Sequence, residues 1–186
     1  MKHILITLLT LFSLNSFAKK NTMVVMETSM GNIEIKLFDE SAPITVKNFL
    51  TYVDEKFYNG TIFHRVIDNF MVQGGGFDIN LKKKDTHAAI KNEATNRISN
   101  STGTLAMART NVVNSATAQF FINVNDNNFL NHRGTSDSEY GYAVFGSVVK
   151  GMSVVNKMKK ASTTRKGHMS DVPVENIIIK KVYRKK

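Results

Sequence analysis

From Met23 to Phe38 the chain reads as strand, turn, strand. Val24-Val25-Met26 is apolar, Met30-Gly31-Asn32 supplies turn chemistry, and Ile33, Ile35 and Leu37 alternate with Glu34 and Lys36, the pattern of a β-hairpin with one wet face. Ser41-Ala42-Pro43 then gives a helix start, and Val46, Phe49, Leu50 and Val53 fall at i, i+3, i+4 and i+7, predicting an amphipathic helix that ends near Lys56. Two β-rich runs follow, Thr61 to Ile67 and Phe70 to Gln73, joined at Asp68-Asn69 and ended by Gly74-Gly75-Gly76. Residues 77–102 are polar and weakly periodic, and read as a surface excursion. Further strands are predicted over Thr104 to Ala108, Gln119 to Val124 and Ala143 to Val149, a second helix over Met152 to Lys159, and a closing strand over Val174 to Tyr183. Many short strands with two separated helices argue against a parallel βαβ sheet. The pattern reaches a predominantly antiparallel barrel or sandwich, with helices packed where a barrel would otherwise be open.

The first residues obey a different rule. Met1-Lys2-His3 is a positive start, Ile4 to Leu14 is apolar apart from two Thr and a Ser, and Ser16-Phe17-Ala18 puts small residues at the cleavage-determining positions. This predicts a signal peptide over residues 1–18 and a mature domain over residues 19–186, exported to the periplasm and ending in a short basic tail. Beyond the leader no apolar run approaches the roughly 18–20 residues of a membrane-crossing helix, so no stable membrane insertion is expected after cleavage.

Composition narrows the chemistry. The 186 residues contain no Cys, which excludes disulfides, Cys-ligated metal and thiol catalysis. The mature histidines, His64, His87, His132 and His168, are too far apart in sequence to suggest a local metal pair, and no Walker A loop, dinucleotide fingerprint or Gly-x-Ser-x-Gly elbow is present. No metal and no cofactor are expected. The net charge of +10 is dispersed over Lys82-Lys83-Lys84, the segment around Lys157 to Lys166, and the C-terminal Lys180 to Lys186. These clusters lack interleaved stacking aromatics, so they read as solvated surface and no nucleic-acid partner is expected.

Strand alternation places long polar groups beside large apolar ones. Arg65 is expected to share a face with Phe63 and Ile67, Gln73 with Met71, and Gln119 with Phe121.

At these residues the sequence resembles the cyclophilins, a family of peptidyl-prolyl cis–trans isomerases. Phe63-His64-Arg65-Val66-Ile67, Phe70-Met71-Val72-Gln73-Gly74-Gly75, Gly103-Thr104-Leu105-Ala106-Met107-Ala108 and Gln119-Phe120-Phe121-Ile122-Asn123 are similar to the family's signature blocks, in their usual order. With Tyr142-Ala143-Val144-Phe145-Gly146 and the leader, the likeness is to the exported branch of Gram-negative bacteria. The resemblance implies a mainly β fold, a closed eight-stranded antiparallel β-barrel capped by two α-helices. It implies a monomer that isomerises X–Pro bonds in unfolded or partly folded proline-containing polypeptides during folding of secreted proteins. A peptide-holding chaperone using the same groove is the alternative.

Carried over residue by residue, the resemblance makes Arg65 the catalytic arginine and Phe70, Met71, Phe121 and Leu130 walls of a proline pocket. Gln73 and Gln119 match groups that hold the substrate backbone, and Ala108 with Arg109 matches the lining of the neighbouring pocket. Phe129 stands where the best-known members carry Trp, and Tyr142 where they carry His. The stretch from Asn131 to Gly141 is a few residues longer than usual.

Overall fold

The computed structural model describes residues 21–186, so the leader and its cleavage point before Lys19 lie outside the described residues. In chain order the elements are β1 (Met23–Thr28), β2 (Gly31–Leu37), α1 (Pro43–Asp54), β3 (Thr61–Ile67), β4 (Met71–Asp78), β5 (Thr104–Met107), β6 (Phe120–Asn123), β7 (Val144–Lys150), α2 (Met152–Met158), β8 (Thr163–Lys166), β9 (Met169–Pro173) and β10 (Ile177–Arg184). Eight strands close into a barrel in the order β1-β10-β3-β4-β6-β5-β7-β2, with every pairing antiparallel, and β8 with β9 forms a separate two-stranded sheet.

The alternation predicted from sequence sorts side chains onto the two surfaces of this barrel. Ile33, Ile35 and Leu37 of β2, Val72 of β4, Leu105 and Met107 of β5, and Phe120 and Ile122 of β6 fill the interior. Met71, Ala106, Phe121 and Val144, each one residue out of phase, form a second buried cluster with Leu130 on the outer surface. Helix α1 starts at Pro43, whose fixed φ and missing N–H suit a first turn. Its stripe of Val46, Phe49, Leu50 and Val53 is buried, and the Phe49 ring lies 5.1–5.7 Å from the rings of Tyr58, Phe120 and Phe145. Burying such a side chain contributes about 1.5–3 kcal/mol, and this stripe closes α1 over the barrel interior. Val155 and Met158 of α2 join the same core.

Three expectations need correction. The glycine run does not end the strand: β4 continues through Gly74, Gly75 and Gly76 to Asp78. Close packing explains it, since a Cβ on Gly76 would stand 2.4 Å from the Gln119 side chain, and one on Gly75, at φ +80°, would stand 2.8–2.9 Å from the Phe120 and Tyr58 rings. Arg65 does not share a face with Phe63. Phe63 pairs with Gly74 and Arg65 with Gln73, so β3 advances two residues against one, and His64 is the extra residue of a β-bulge. The bulge resets the phase: Phe63 and Val66 both point into the core, while Arg65 stands outside it and Ile67 packs against the outer cluster. Finally, the β8–β9 hairpin forms where the sequence pattern predicts no strand.

The excursion over residues 77–102 has little regular structure beyond a short 3₁₀ turn at Ala94–Asn96, yet Asn92, Ala94 and Asn100 are buried. Their side chains and backbone anchor this loop to the barrel.

Candidate active site

Strand register sets four residues in one row across the outer surface. Arg65 of β3 pairs with Gln73 of β4, Gln73 with Phe121 of β6, and Phe121 with Ala106 of β5. Paired strands lie about 4.7–4.9 Å apart, so the row puts a guanidinium, an amide and an aromatic wall within one short peptide's reach. Gln73 Nε2 donates to Gln119 Oε1 at 3.0 Å, which fixes both amides at the edge of the row. Arg65 is partly exposed, 42% at its side chain, and its Nε lies 3.8 Å from Oδ2 of Asp171 in β9.

Beside the row the outer cluster makes an apolar floor. Met71 and Phe121 are almost fully buried, and Phe70, Ile67, Ala108 and Tyr142 pack at its margin. The Tyr142 ring meets Phe121 edge-on with centroids 5.7 Å apart. Phe70, in the turn between β3 and β4, stacks at 5.5 Å on Phe129, which is 59% exposed and stands as a rim. Arg109 lies over the Tyr142 ring at 4.9 Å, and its guanidinium donates to the carbonyls of Gly141, Thr110, Asn111 and Asp137. It therefore ties the loop after β5 to the one before β7.

Buried asparagines hold these walls. Asn127 Nδ2 donates to the Phe70 carbonyl at 2.8 Å and to Asn123 Oδ1 at 2.7 Å. Asn123 Nδ2 in turn donates to Thr104 Oγ1 at 2.9 Å and to Asn100 Oδ1 at 3.3 Å. Asn100 reaches Asn131 Oδ1 through its amide N–H at 2.8 Å, and the Tyr142 N–H donates to the Leu130 carbonyl at 3.0 Å. Phe70, Leu130 and Tyr142 thus hang on one polar network, and such networks rigidify when every member is satisfied.

Behind Arg65, the bulge residue His64 is buried against the Phe77 ring, centroids 4.6 Å apart, and its Nδ1 has no hydrogen-bond partner among the described residues. Burial, with the Arg65 charge second, lowers its pKa from 6.5 to about 4, so it stands neutral behind the cation. The site offers one cationic donor, two fixed amides and an apolar floor. That set suits an extended peptide carrying a compact apolar ring.

Of the residues singled out from sequence, Phe70, Met71, Ala108, Phe121, Leu130 and Tyr142 meet in one cluster, Gln73 and Gln119 bond to each other, and Arg65 shares their row. Phe129 stands exposed at the edge of the cluster, its ring against Phe70. The Arg109 side chain is engaged by backbone carbonyls. Sequence reading missed Ala106, Asp171 and the asparagine network, although the density of Asn from Asn123 to Asn131 was a usable signal for the last.

A family model described as cyclophilin type peptidyl-prolyl cis–trans isomerase/CLD matches residues 23–184. A peptidyl-prolyl cis–trans isomerase of Acinetobacter baylyi is 57% identical over 166 residues, 89% of this chain and 87% of that protein. Peptidyl-prolyl cis–trans isomerase B of Escherichia coli is 58% identical over 160 residues, 86% of this chain and 98% of that protein. Among solved structures, a Cryptosporidium parvum cyclophilin type peptidyl-prolyl cis–trans isomerase aligns with a TM-score of 0.74 at 25% identity, covering 89% of this chain and 98% of that one.

Proposed function

The chain belongs to the cyclophilin-type peptidyl-prolyl cis–trans isomerase family, and from that premise we propose that the row beginning at Arg65 is where its isomerase activity resides. Rotation about a peptide bond faces a barrier of about 18–20 kcal/mol from amide resonance, and X–Pro bonds relax unaided in tens to hundreds of seconds. No covalent bond has to break. A donor placed on the prolyl nitrogen localises its lone pair, which then no longer conjugates with the carbonyl. Arg65 suits this task because a guanidinium stays charged at any working pH and carries several donors in a stiff plane.

The remaining groups divide the substrate between them. Phe70, Met71, Phe121 and Leu130 seat the proline ring, with Phe129 and Tyr142 at the rim, while Gln73 and Gln119 hold the backbone on the N-terminal side. Ala108 and Arg109 border the pocket for the preceding residues. Excluding water from the apolar floor strengthens the Arg65 hydrogen bond, and lowering the barrier by about 5–6 kcal/mol gives an acceleration on the order of ten-thousand-fold. The observation that carries this reading is the register Arg65–Gln73–Phe121–Ala106, which sets donor and ring pocket side by side. A protease-coupled assay on a short X–Pro peptide tests it. Arg65→Ala lowers kcat/KM on the order of a hundredfold with the fold retained, and near wild-type turnover in that variant overturns the assignment.

The setting proposed for this activity is the periplasm, where a monomer starting at Lys19 isomerises proline-containing segments of exported proteins. The signal pattern of residues 1–18 supports it, and among the described residues no helix is long and apolar enough to cross a membrane. Intact mass of the exported protein tests the boundary: a chain beginning at Lys19 is expected, and an uncleaved Met1 terminus overturns it.

A further inference from the structure

Two β-bulges bring Arg65 and Asp171 together. On β3 the extra residue His64 turns Arg65 outward. On β9, Val172 pairs with Thr164 and Met169 with Lys166, so three steps on β9 answer two on β8, and Ser170 with Asp171 faces a single residue. Asp171 lies in this bulge at φ +60°, a left-handed conformation that non-glycine residues seldom adopt and that Asn and Asp tolerate best. Bulges commonly re-aim a side chain beside a functional site. Fully buried Val172 anchors the hairpin, and β9 packs along β3.

The result is a carboxylate facing one particular atom of the guanidinium. Asp171 Oδ2 lies 3.8 Å from Arg65 Nε, and Asp171 is the one acidic side chain in ion-pair range of Arg65 among the described residues. The two terminal amino groups of Arg65 make no hydrogen bond within the described residues, so the carboxylate meets the fork on its Nε side and leaves the outer donors uncommitted. A long side chain that is 42% exposed otherwise samples many rotamers, and each misplaced rotamer removes the donor from the prolyl nitrogen.

We propose that Asp171 is a positioning residue for the isomerisation, holding the Arg65 guanidinium by its Nε edge so that its terminal donors meet the substrate; this rests on the reading of Arg65 as the donor. Asp171 touches no substrate in this role and acts only through Arg65. The charge alone distinguishes it from a residue that merely shapes the hairpin, because Asn and Gly both accept the left-handed backbone and carry no carboxylate.

A double-mutant cycle on the full-length mature protein tests the proposal. Asp171→Asn and Asp171→Gly each lower kcat about two- to fivefold, the span that a half-exposed ion pair supports, with KM and thermal midpoint nearly unchanged. In the Arg65→Ala background, measured by exchange spectroscopy at high enzyme concentration, Asp171→Asn has no further effect. Unchanged kcat in both single variants overturns the proposal, as does the same loss with and without Arg65, which would mark a structural effect of the hairpin. The reading beneath it fails separately, through an Arg65→Ala variant that keeps near wild-type turnover.

Discussion

Thr45 gives both its amide and its hydroxyl to one oxygen of Glu93, Oε2, each at 2.7 Å, across 48 residues of sequence. The other oxygen accepts the Ile44 amide at 3.1 Å. Helix α1 has no capping side chain of its own, since Ala42 occupies the N-cap, so a carboxylate from the distant 77–102 loop satisfies its first-turn donors.

Removing that carboxylate exposes what it does. Glu93→Ala is expected to cost about 1–2 kcal/mol of stability, and Glu93→Gln less, because the amide oxygen still accepts while the charge on the helix dipole is gone. Urea unfolding monitored by circular dichroism measures both, and an unchanged midpoint in Glu93→Ala would show that water replaces the cap at no cost.

Acid sensitivity should trace to His64. Its folded pKa, about 4, lies below its ordinary 6.5, so between these values the unfolded chain binds a proton that the folded one refuses. Stability therefore rises with pH across that window and falls on acidification, by on the order of 3 kcal/mol from above pH 6.5 down to pH 4. The carboxylates with lowered pKa values, Glu34, Asp54, Asp68 and Asp126, lose their contribution as the pH falls to and below their ordinary values of 4.5 and 3.8, so the slope between pH 6.5 and about pH 5 is the part that reports the imidazole. Unfolding free energies at several pH values should slope in the wild type and flatten in His64→Gln; equal slopes would assign the effect elsewhere.

Gly76→Ala tests the close approach at β4. The new methyl would stand 2.4 Å from Gln119 Cγ, which forces that side chain away and breaks its hydrogen bond with Gln73. Losing this fixed amide pair should raise KM for X–Pro peptides several-fold, as one neutral hydrogen bond of about 0.5–1.5 kcal/mol implies, with a smaller change in kcat. Wild-type KM in a folded variant would remove the pair from substrate binding.

The sequence resemblance sets Phe129 where better-known cyclophilins carry a Trp whose indole N–H donates to the cyclic peptide inhibitor cyclosporin. A phenyl ring keeps the rim against Phe70 and offers no donor, leaving an inhibitor acceptor unpaired at about 1–3 kcal/mol. Phe129→Trp should tighten inhibition roughly tenfold to a hundredfold with little change in turnover. Side-by-side inhibitor titration decides it, and equal constants would point to the longer Asn131–Gly141 loop as the control on access.

Period-two patterning made most of this architecture legible. In β4 and β6 the alternation of Met71 with Val72, and of Phe121 with Phe120, separates the outer cluster from the barrel interior because both strands hold register there. It failed at His64, since one inserted residue reverses every later face and leaves no mark in composition. It also missed the β8–β9 hairpin. Thr163 to Arg165 are exposed on both sides of the strand, so no apolar alternation announces it. With the hairpin went Asp171, whose relation to Arg65 exists only in three dimensions. Gly74 to Gly76 misled differently: glycines that usually stop a strand here make room for neighbouring side chains.

The barrel is sealed by β1 and β10, where Val24 meets Arg184 at opposite ends of the described chain. Closure is thus the last thing a growing polypeptide can do, because every residue up to the final strand must be available before the ring is complete. A chain cut before Ile177 leaves β1 and β3 with open edges, each a template for pairing with another molecule. Long-range closure of this kind slows folding, so a protein of a family that speeds a slow step in others is built on a topology that is itself slow to close.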